Sequence, residues 1–294
     1  MLSSAMRHKV LPYGFLMPAL VVTCLVILYP VVQTLVLSVQ NYVLYAPEDS
    51  RFVGLAHFKT LWRDEVFWIA LGHSIVWVGG IVLFQLLLGL ATALLLNQSF
   101  WWRGLARALV IIPWALPSVI IGLIWTWIYD FNVGVLNDML LRMGMIDQPI
   151  AWLTNPKTSL PAIMLTLIWQ GFPFFAVMIL AGLQTVPQEL YEAARMDGAS
   201  AFRQFWHITL PSLAGIIATA VLLRIIWVAN SLDIILIMTG GGPGYTTYTL
   251  PLYAFLRAYS EMEFGYAAAL ALVMTFLLLG IVFLYVRRQA RELV

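Results

Sequence analysis

Long stretches of this sequence contain no Asp, Glu, Lys or Arg. The intervals 10–47, 66–102 and 264–286 are uncharged, and each is long enough for a membrane-crossing helix, which needs about 20 apolar residues. Charged residues make up only 10% of the chain and hydrophobic residues 62%, whereas soluble domains carry about 25% charged residues. This composition excludes a soluble enzyme and a disordered chain, and it predicts a polytopic membrane protein.

The uncharged intervals predict six transmembrane helices in an all-α membrane protein, with residues 1–294 forming a single transmembrane domain. The approximate spans are 13–39, 67–96, 108–129, 160–183, 212–238 and 264–286. The first is too long for a signal peptide, and no small-residue cleavage site follows it. In the third, Pro113 and Pro117 are four residues apart. This spacing favours a bent or broken helix, with ordinary helix packing as the alternative.

The basic residues predict the orientation of the chain. Nine of the 16 Lys and Arg residues lie in the two tails and in the loops that join spans 2–3 and 4–5, and six lie in the opposite loops. Nine of the 14 acidic residues also lie in those opposite loops. The positive-inside rule therefore places both termini in the cytoplasm.

Several classes of site are not expected. A net charge of +2 gives no sign of a nucleic-acid partner. Cys24 is the only cysteine and is expected to be a small buried apolar residue. The four histidines lie on different segments, so no metal site is predicted. None of the three lysines follows a glycine, which excludes a phosphate-binding P-loop and hence ATP hydrolysis by this chain.

The predicted cytoplasmic segment 185–211 is too polar to span a membrane and is regularly patterned. Pro187 can begin a helix, Asp197 and Gly198 form a turn signal, and Ser200 can cap a second helix. Each helix has apolar residues at i, i+3 and i+4 spacing, which gives it one apolar face. The segment predicts either an amphipathic hairpin on the membrane surface or one that docks into a groove of a cytoplasmic partner.

One spacing within this segment is specific. Glu192, Ala193 and Ala194 are followed after three residues by Gly198 and, nine residues later, by the run 208–211, which ends in Leu210 and Pro211. This arrangement resembles the EAA loop of ABC importer permeases, and Asp197 with its neighbours resembles the carbohydrate-importing branch. The runs 239–244 and 264–269 resemble the MalF/UgpA type of sugar permease. The resemblance covers nearly the whole chain, without the large periplasmic insertion of the maltose subunit.

The resemblance implies a type I (MetI-like) permease core with a cytoplasmic coupling helix, in a bacterial or archaeal cytoplasmic membrane. It implies a second six-span permease subunit, two copies of an ABC ATPase and an extracytoplasmic solute-binding protein as partners. ATP and Mg would bind in the ATPase, and no cofactor would bind in this chain. The residues implied in coupling are Glu192, Ala193, Ala194, Asp197, Gly198, Leu210 and Pro211, with Glu192 pairing with a basic residue of the ATPase.

Polar residues inside spans are costly in lipid unless they face the interior of the bundle, so they are candidates for a substrate path. Arg224 follows Pro211 by 13 residues, or roughly 20 Å of helix, which places it near the membrane centre. Asp233 is expected on the opposite side of the same helix, and the two are not expected to face one cavity. The candidates are Arg224, Trp227, Asn230, Asp233, Trp169, Gln170 and Gln85. Helix packing is the alternative for each of them.

Two outer features have open interpretations. The run Gly240, Gly241, Gly242 and Pro243 is either a flexible turn or, by resemblance, an outer gate loop. The tyrosines Tyr253, Tyr259 and Tyr266 are either interfacial or ligand-binding.

The favoured function is therefore an ATP-driven permease for a carbohydrate, of di- or oligosaccharide size. A polyol or glycerol phosphate is the alternative substrate, but an anion would favour several basic groups in the path, and Arg224 is the only one. An ion-coupled carrier would need buried acids in several spans, and an intramembrane enzyme would need a nucleophile–base or metal cluster at span depth. The sequence offers neither pattern.

Overall fold

The computed structural model describes the chain from residue 15 to residue 292, with side chains up to residue 288. It is almost entirely helical. The chain separates into two compact units. One comprises the residues up to Asp64 together with Tyr253–Leu279, and the other comprises Glu65–Leu252 together with the segment from Gly280.

The first unit contains a long helix, a small β-ladder and parts of two further helices. Its elements are α1 (Phe15–Ser38), β1 (Gln40–Asn41), β2 (Arg51–Phe52), α2 (Ala56–Arg63), most of α12 (Leu250–Tyr259) and the first part of α13 (Phe264–Glu292). The strands are antiparallel, with Gln40 opposite Phe52. No residue in the apolar window of α1 is buried. Cys24, expected to be buried, is therefore exposed, because no described residue covers this part of the helix.

The second unit contains the remaining elements. They are α3 (Glu65–Asn97), α4 (Arg103–Ala115), α5 (Ser118–Ile128), α6 (Val135–Arg142), α7 (Ser159–Leu183), α8 (Gln188–Met196), α9 (Ala201–Gln204), α10 (Leu210–Ala229) and α11 (Asp233–Met238). A π-helical turn, Phe205–Thr209, joins α9 to α10. The bounds of α3 and α7 lie within two residues of the ends predicted for the second and fourth spans, and α13 begins at residue 264, as predicted for the sixth.

Five helical segments are long and apolar enough to cross a membrane, and α4 with α5 makes a sixth candidate that bends by 94°. The bend confirms the break expected from the prolines of the third span. Pro113 lies inside α4, whereas Leu116 and Pro117 are extended, with ψ of 139° at each. Because Pro117 has no N–H and disfavours helical backbone at the residue before it, the helix ends at Ala115.

Helix α7 is the centre of the second unit, with 56% of its apolar window buried. It packs closely along α3, where Gly89 faces Phe175. A Cβ at position 89 would overlap the Cβ of Phe175, so only glycine allows this approach. Close backbone contact at small residues is a main source of helix association in lipid, since burial of apolar surface provides little driving force there.

A polar cluster orders the first unit. The hydroxyls of Tyr253 and Tyr266 both donate to Oδ2 of Asp64, each at 2.5 Å, and the Arg257 guanidinium lies over both rings. Burial, with the hydrogen bond to Asp64, raises the pKa of Tyr253 to about 12, so its hydroxyl stays protonated. Tyr253 and Tyr266 are buried and link helices α12 and α13 to Asp64, whereas Tyr259 is exposed.

Candidate functional site

A cavity of about 210 Å³ lies within the second unit, where the breaks of two helices meet α7. Its walls come from the α4–α5 bend, the middle of α7 and the α10–α11 break. The lining residues are Trp114, Ser118, Leu167, Gln170, Gly171, Arg224, Trp227, Val228, Ser231, Asp233 and Ile234.

Arg224 is fixed at one wall of this cavity. Its side chain is buried, with 7% of the residue exposed, and its Nε donates to Oε1 of Gln85 at 2.8 Å. Gln85 in turn donates from Nε2 to the carbonyl of Leu167 at 2.6 Å. The guanidinium carbon is 5.9 Å from the ring centroids of both Phe174 and Trp227. The positive charge is thus held by an amide and two aromatic faces, with no ion pair to Arg224 among the described residues.

Gly171 makes this arrangement possible. A Cβ at position 171 would overlap the Arg224 guanidinium and the Gln85 amide. The absence of a side chain on α7 therefore leaves the space through which Arg224 reaches Gln85.

The expectation that Arg224 and Asp233 face apart is wrong. It assumed one continuous helix, but α10 ends at Ala229 and α11 begins at Asp233. The intervening residues leave the regular helix, and the Asn230 amide donates back to the carbonyl of Ile226 at 2.7 Å. The break turns Asp233 toward the cavity, where its Oδ2 accepts a hydrogen bond from Ser118 Oγ at 3.1 Å.

The predicted path residues therefore separate into two groups. Arg224, Trp227, Asp233 and Gln170 line the cavity. Gln85 is buried behind Arg224, Trp169 packs against the ring of Trp125 at 5.6 Å, and Asn230 bonds to its own helix. Trp114, Ser118 and Ser231 also line the cavity but were not among the predicted path residues. The paired prolines at 113 and 117 were the only signal in the sequence for the first two.

The segment predicted to couple forms a helical hairpin, as its capping signals indicated. Helix α8 begins after Pro187, Gly198 has a φ of +76°, and Ser200 Oγ accepts the N–H of Arg203 at 3.4 Å. The two arms are joined by a hydrogen bond of 3.0 Å between the hydroxyls of Tyr191 and Thr209. We call residues 188–209 the hairpin.

The hairpin presents a mixed apolar and acidic surface. Leu190, Met196, Phe202 and Trp206 are exposed, with Met196 at 89%. Glu192 and Asp197 are also exposed, and neither forms an ion pair within the described chain. Of the other residues implied in coupling, Ala193 is exposed, Ala194 is half-buried, and Leu210 and Pro211 open α10.

The hairpin continues into the cavity wall without a loop. Residues 201–238 form one span-length segment that runs from the hairpin through α10 to α11. Pro211 is in the first turn of α10, where its missing N–H interrupts the regular bonding, and the π-helical turn lies immediately before it. A continuous helical segment therefore connects the hairpin to Arg224.

The glycine-rich loop at 239–244 is held in place by hydrogen bonds. The hydroxyls of Thr239 and Thr247 are 2.8 Å apart, and Thr247 also donates to the carbonyl of Gly242 at 3.1 Å. Gly240 and Gly241 have φ of +60° and +101°, which L side chains rarely adopt. The peptide bond between Gly242 and Pro243 is cis. The loop is therefore a defined turn.

Comparison with known proteins identifies the family. The sequence pattern of the family described as "Binding-protein-dependent transport system inner membrane component" matches residues 85–291. The chain is 38% identical to the sulfoquinovosyl glycerol transport system permease protein SmoG of Agrobacterium fabrum, over 95% of this chain and 90% of that protein. It is 36% identical to the trehalose/maltose transport system permease protein MalF of Thermococcus litoralis, over 99% of each.

Solved structures support the fold class. The chain superposes with a TM-score of 0.84 on a crystal structure of a bacterial ABC transporter involved in the import of the acidic polysaccharide alginate, at 23% identity. The match covers 98% of this chain and 97% of that chain. These findings confirm the predicted all-α fold with a permease core. The chain belongs to the inner membrane components of binding-protein-dependent transport systems and is a multi-pass ABC importer permease of the MalF/UgpA type.

Proposed function

We propose that this permease carries a carbohydrate of di- or oligosaccharide size, delivered by an extracytoplasmic binding protein. The observation that carries the proposal is the cavity, which combines the indoles of Trp114 and Trp227 with the Gln170 amide and the Asp233 carboxylate. Aromatic faces stack on sugar rings, and amides and carboxylates hydrogen-bond to hydroxyl groups. The relatives named for sulfoquinovosyl glycerol and for trehalose and maltose support the same substrate class.

A polyol or glycerol phosphate is the second candidate substrate. The cavity has one cationic side chain, Arg224, and its Nε is already bonded to Gln85. A phosphate favours several charge-assisted bonds. The single cation therefore disfavours glycerol phosphate, and the two indoles of Trp114 and Trp227 favour a sugar ring over an acyclic polyol.

The partners proposed are a second six-span permease, two copies of an ABC ATPase and the binding protein. ATP and Mg bind in the ATPase, and this chain supplies the hairpin that the ATPase engages through Glu192, Ala193, Ala194, Asp197 and Gly198. The exposed apolar side chains of the hairpin support this role, because an apolar surface rimmed by charges is typical of a docking site. Both termini then lie in the cytoplasm, and the run from Gly240 to Pro243 lies at the outer gate.

The test is purification of the full transporter with its cognate subunits, followed by ATP hydrolysis measured with the binding protein and a panel of ligands. We expect a di- or oligosaccharide to stimulate hydrolysis, and polyols and glycerol 3-phosphate to leave it at the basal rate. Stimulation by glycerol 3-phosphate alone contradicts the proposed substrate. Failure of any ATPase subunit to co-purify contradicts the proposed partners.

A further inference from the structure

A second cavity, of about 660 Å³, lies in the same unit at the end that carries the hairpin. It is enclosed by the last residues of α3, the first turns of α4, the end of α7 and one side of α8. Three arginines line it: Arg103, Arg107 and Arg195. Within the described residues none of the three forms an ion pair. The lining of the cavity thus carries three positive charges and no carboxylate.

Arg107 has an unused donor at this cavity. Its Nη2 donates to the carbonyl of Leu96 at 3.2 Å, whereas its Nε is buried without a hydrogen-bond partner. A buried N–H of a charged group that is left unpaired is costly. The Arg107 guanidinium therefore has hydrogen-bonding capacity that the described protein groups do not use.

A groove of about 250 Å³ adjoins the cavity and is lined almost entirely by apolar side chains. It lies between α4 and α7, and its lining residues are Leu96, Arg107, Val110, Ile111, Ala176, Val177, Leu180, Ala181 and Gln184. Arg107 and Gln184 belong to both spaces. The polar cavity and the apolar groove therefore meet at Arg107. A ligand with a polar head and an apolar tail would fit this arrangement.

The surroundings match the interfacial level of a membrane. Trp101 and Trp102 precede α4, and Trp101 is 95% exposed. Tryptophans collect where the hydrocarbon meets the headgroups. Basic pockets between transmembrane helices on the cytoplasmic side are known to hold anionic lipid headgroups.

We propose that this site binds an anionic phospholipid. The phosphate accepts hydrogen bonds from Arg103, Arg107 and Arg195, and one acyl chain occupies the groove. A soluble phosphate ester would fill only the polar cavity and leave the groove empty. Because Arg195 is on α8 and the other two arginines are on α4, the bound headgroup ties the hairpin to the span beside it.

The experiment is native mass spectrometry of the intact transporter, released from nanodiscs of phosphatidylcholine and phosphatidylglycerol. We expect the wild type to retain phosphatidylglycerol selectively, and Arg107→Gln to weaken retention about fivefold, since one arginine near a membrane surface contributes about 1 kcal/mol. Arg142→Gln is the control, because it removes an exposed arginine outside the site. Equal retention by the wild type and Arg107→Gln overturns the proposal.

Ala181→Trp separates a lipid from a soluble anion, since the indole would fill the groove and leave the arginines in place. We expect this variant to lose phosphatidylglycerol. If it retains the lipid at the wild-type level, or if free glycerol 3-phosphate displaces the lipid from the wild type at equal concentration, the groove does not hold an acyl chain. A cross-link from position 107 to an acidic segment of a partner subunit would likewise replace the lipid as occupant.

Discussion

Gly198→Asp is expected to lower transport about tenfold while the chain still inserts into the membrane. Gly198 has a φ of +76° with open space around its Cα, so the effect of a side chain there is on the backbone alone. An L residue in the left-handed region costs about 1–2 kcal/mol. A cost of this size lowers the fraction of molecules that hold the native hairpin turn about tenfold. The measurement is substrate uptake by membranes with matched amounts of inserted protein.

Gly144→Asp is the matched control for this variant. Gly144 has a φ of +66° and open space around it, at a turn after α6 and outside the hairpin. The Gly144→Asp variant reproduces the backbone strain without touching the proposed coupling surface, so uptake should remain near the wild-type level.

Glu192→Lys should lower uptake about as much as Gly198→Asp does, and it should weaken co-purification of the ATPase. Normal uptake in both hairpin variants would remove the coupling role.

Gln85→Leu is expected to destabilise the second unit by about 2 kcal/mol, because it leaves the buried Arg224 without its acceptor. The double variant Gln85→Leu with Arg224→Met should recover most of that stability, since replacing both partners of a buried pair by apolar groups is nearly neutral. The measurement is the thermal unfolding of the purified transporter in detergent for the wild type, both single variants and the double variant.

Uptake by the double variant then defines the role of Arg224. If Arg224 only holds α10 against α3, the stable double variant transports. If Arg224 contacts substrate in the cavity, the double variant is stable and transports poorly. An additive loss of stability in the double variant contradicts the described Arg224–Gln85 pairing.

The elements predicted well from the sequence are those set by local chemistry. The spans follow from the absence of charge over about 20 residues, because charged groups are expensive in hydrocarbon. The bend at Leu116 and Pro117 follows from a missing N–H, and the turn of the hairpin follows from glycine at position 198 and the Ser200 cap. Each of these signals acts within a few residues of its effect.

The features that were missed depend on contacts between distant segments. The break at 230–232 carries no proline or glycine, so periodicity continued the helix and placed Asp233 opposite Arg224. The bond from Ser118 to Asp233 joins residues 115 positions apart. The three arginines of the second cavity come from two helices whose packing no local pattern predicts.

The most direct test of the account is carbohydrate uptake into proteoliposomes that contain the purified transporter, with the binding protein outside. Uptake should require Mg-ATP on the ATPase side and should continue after the proton and sodium gradients are collapsed. Uptake driven by an imposed ion gradient in the absence of ATP would contradict this expectation and would identify the chain as part of an ion-coupled carrier.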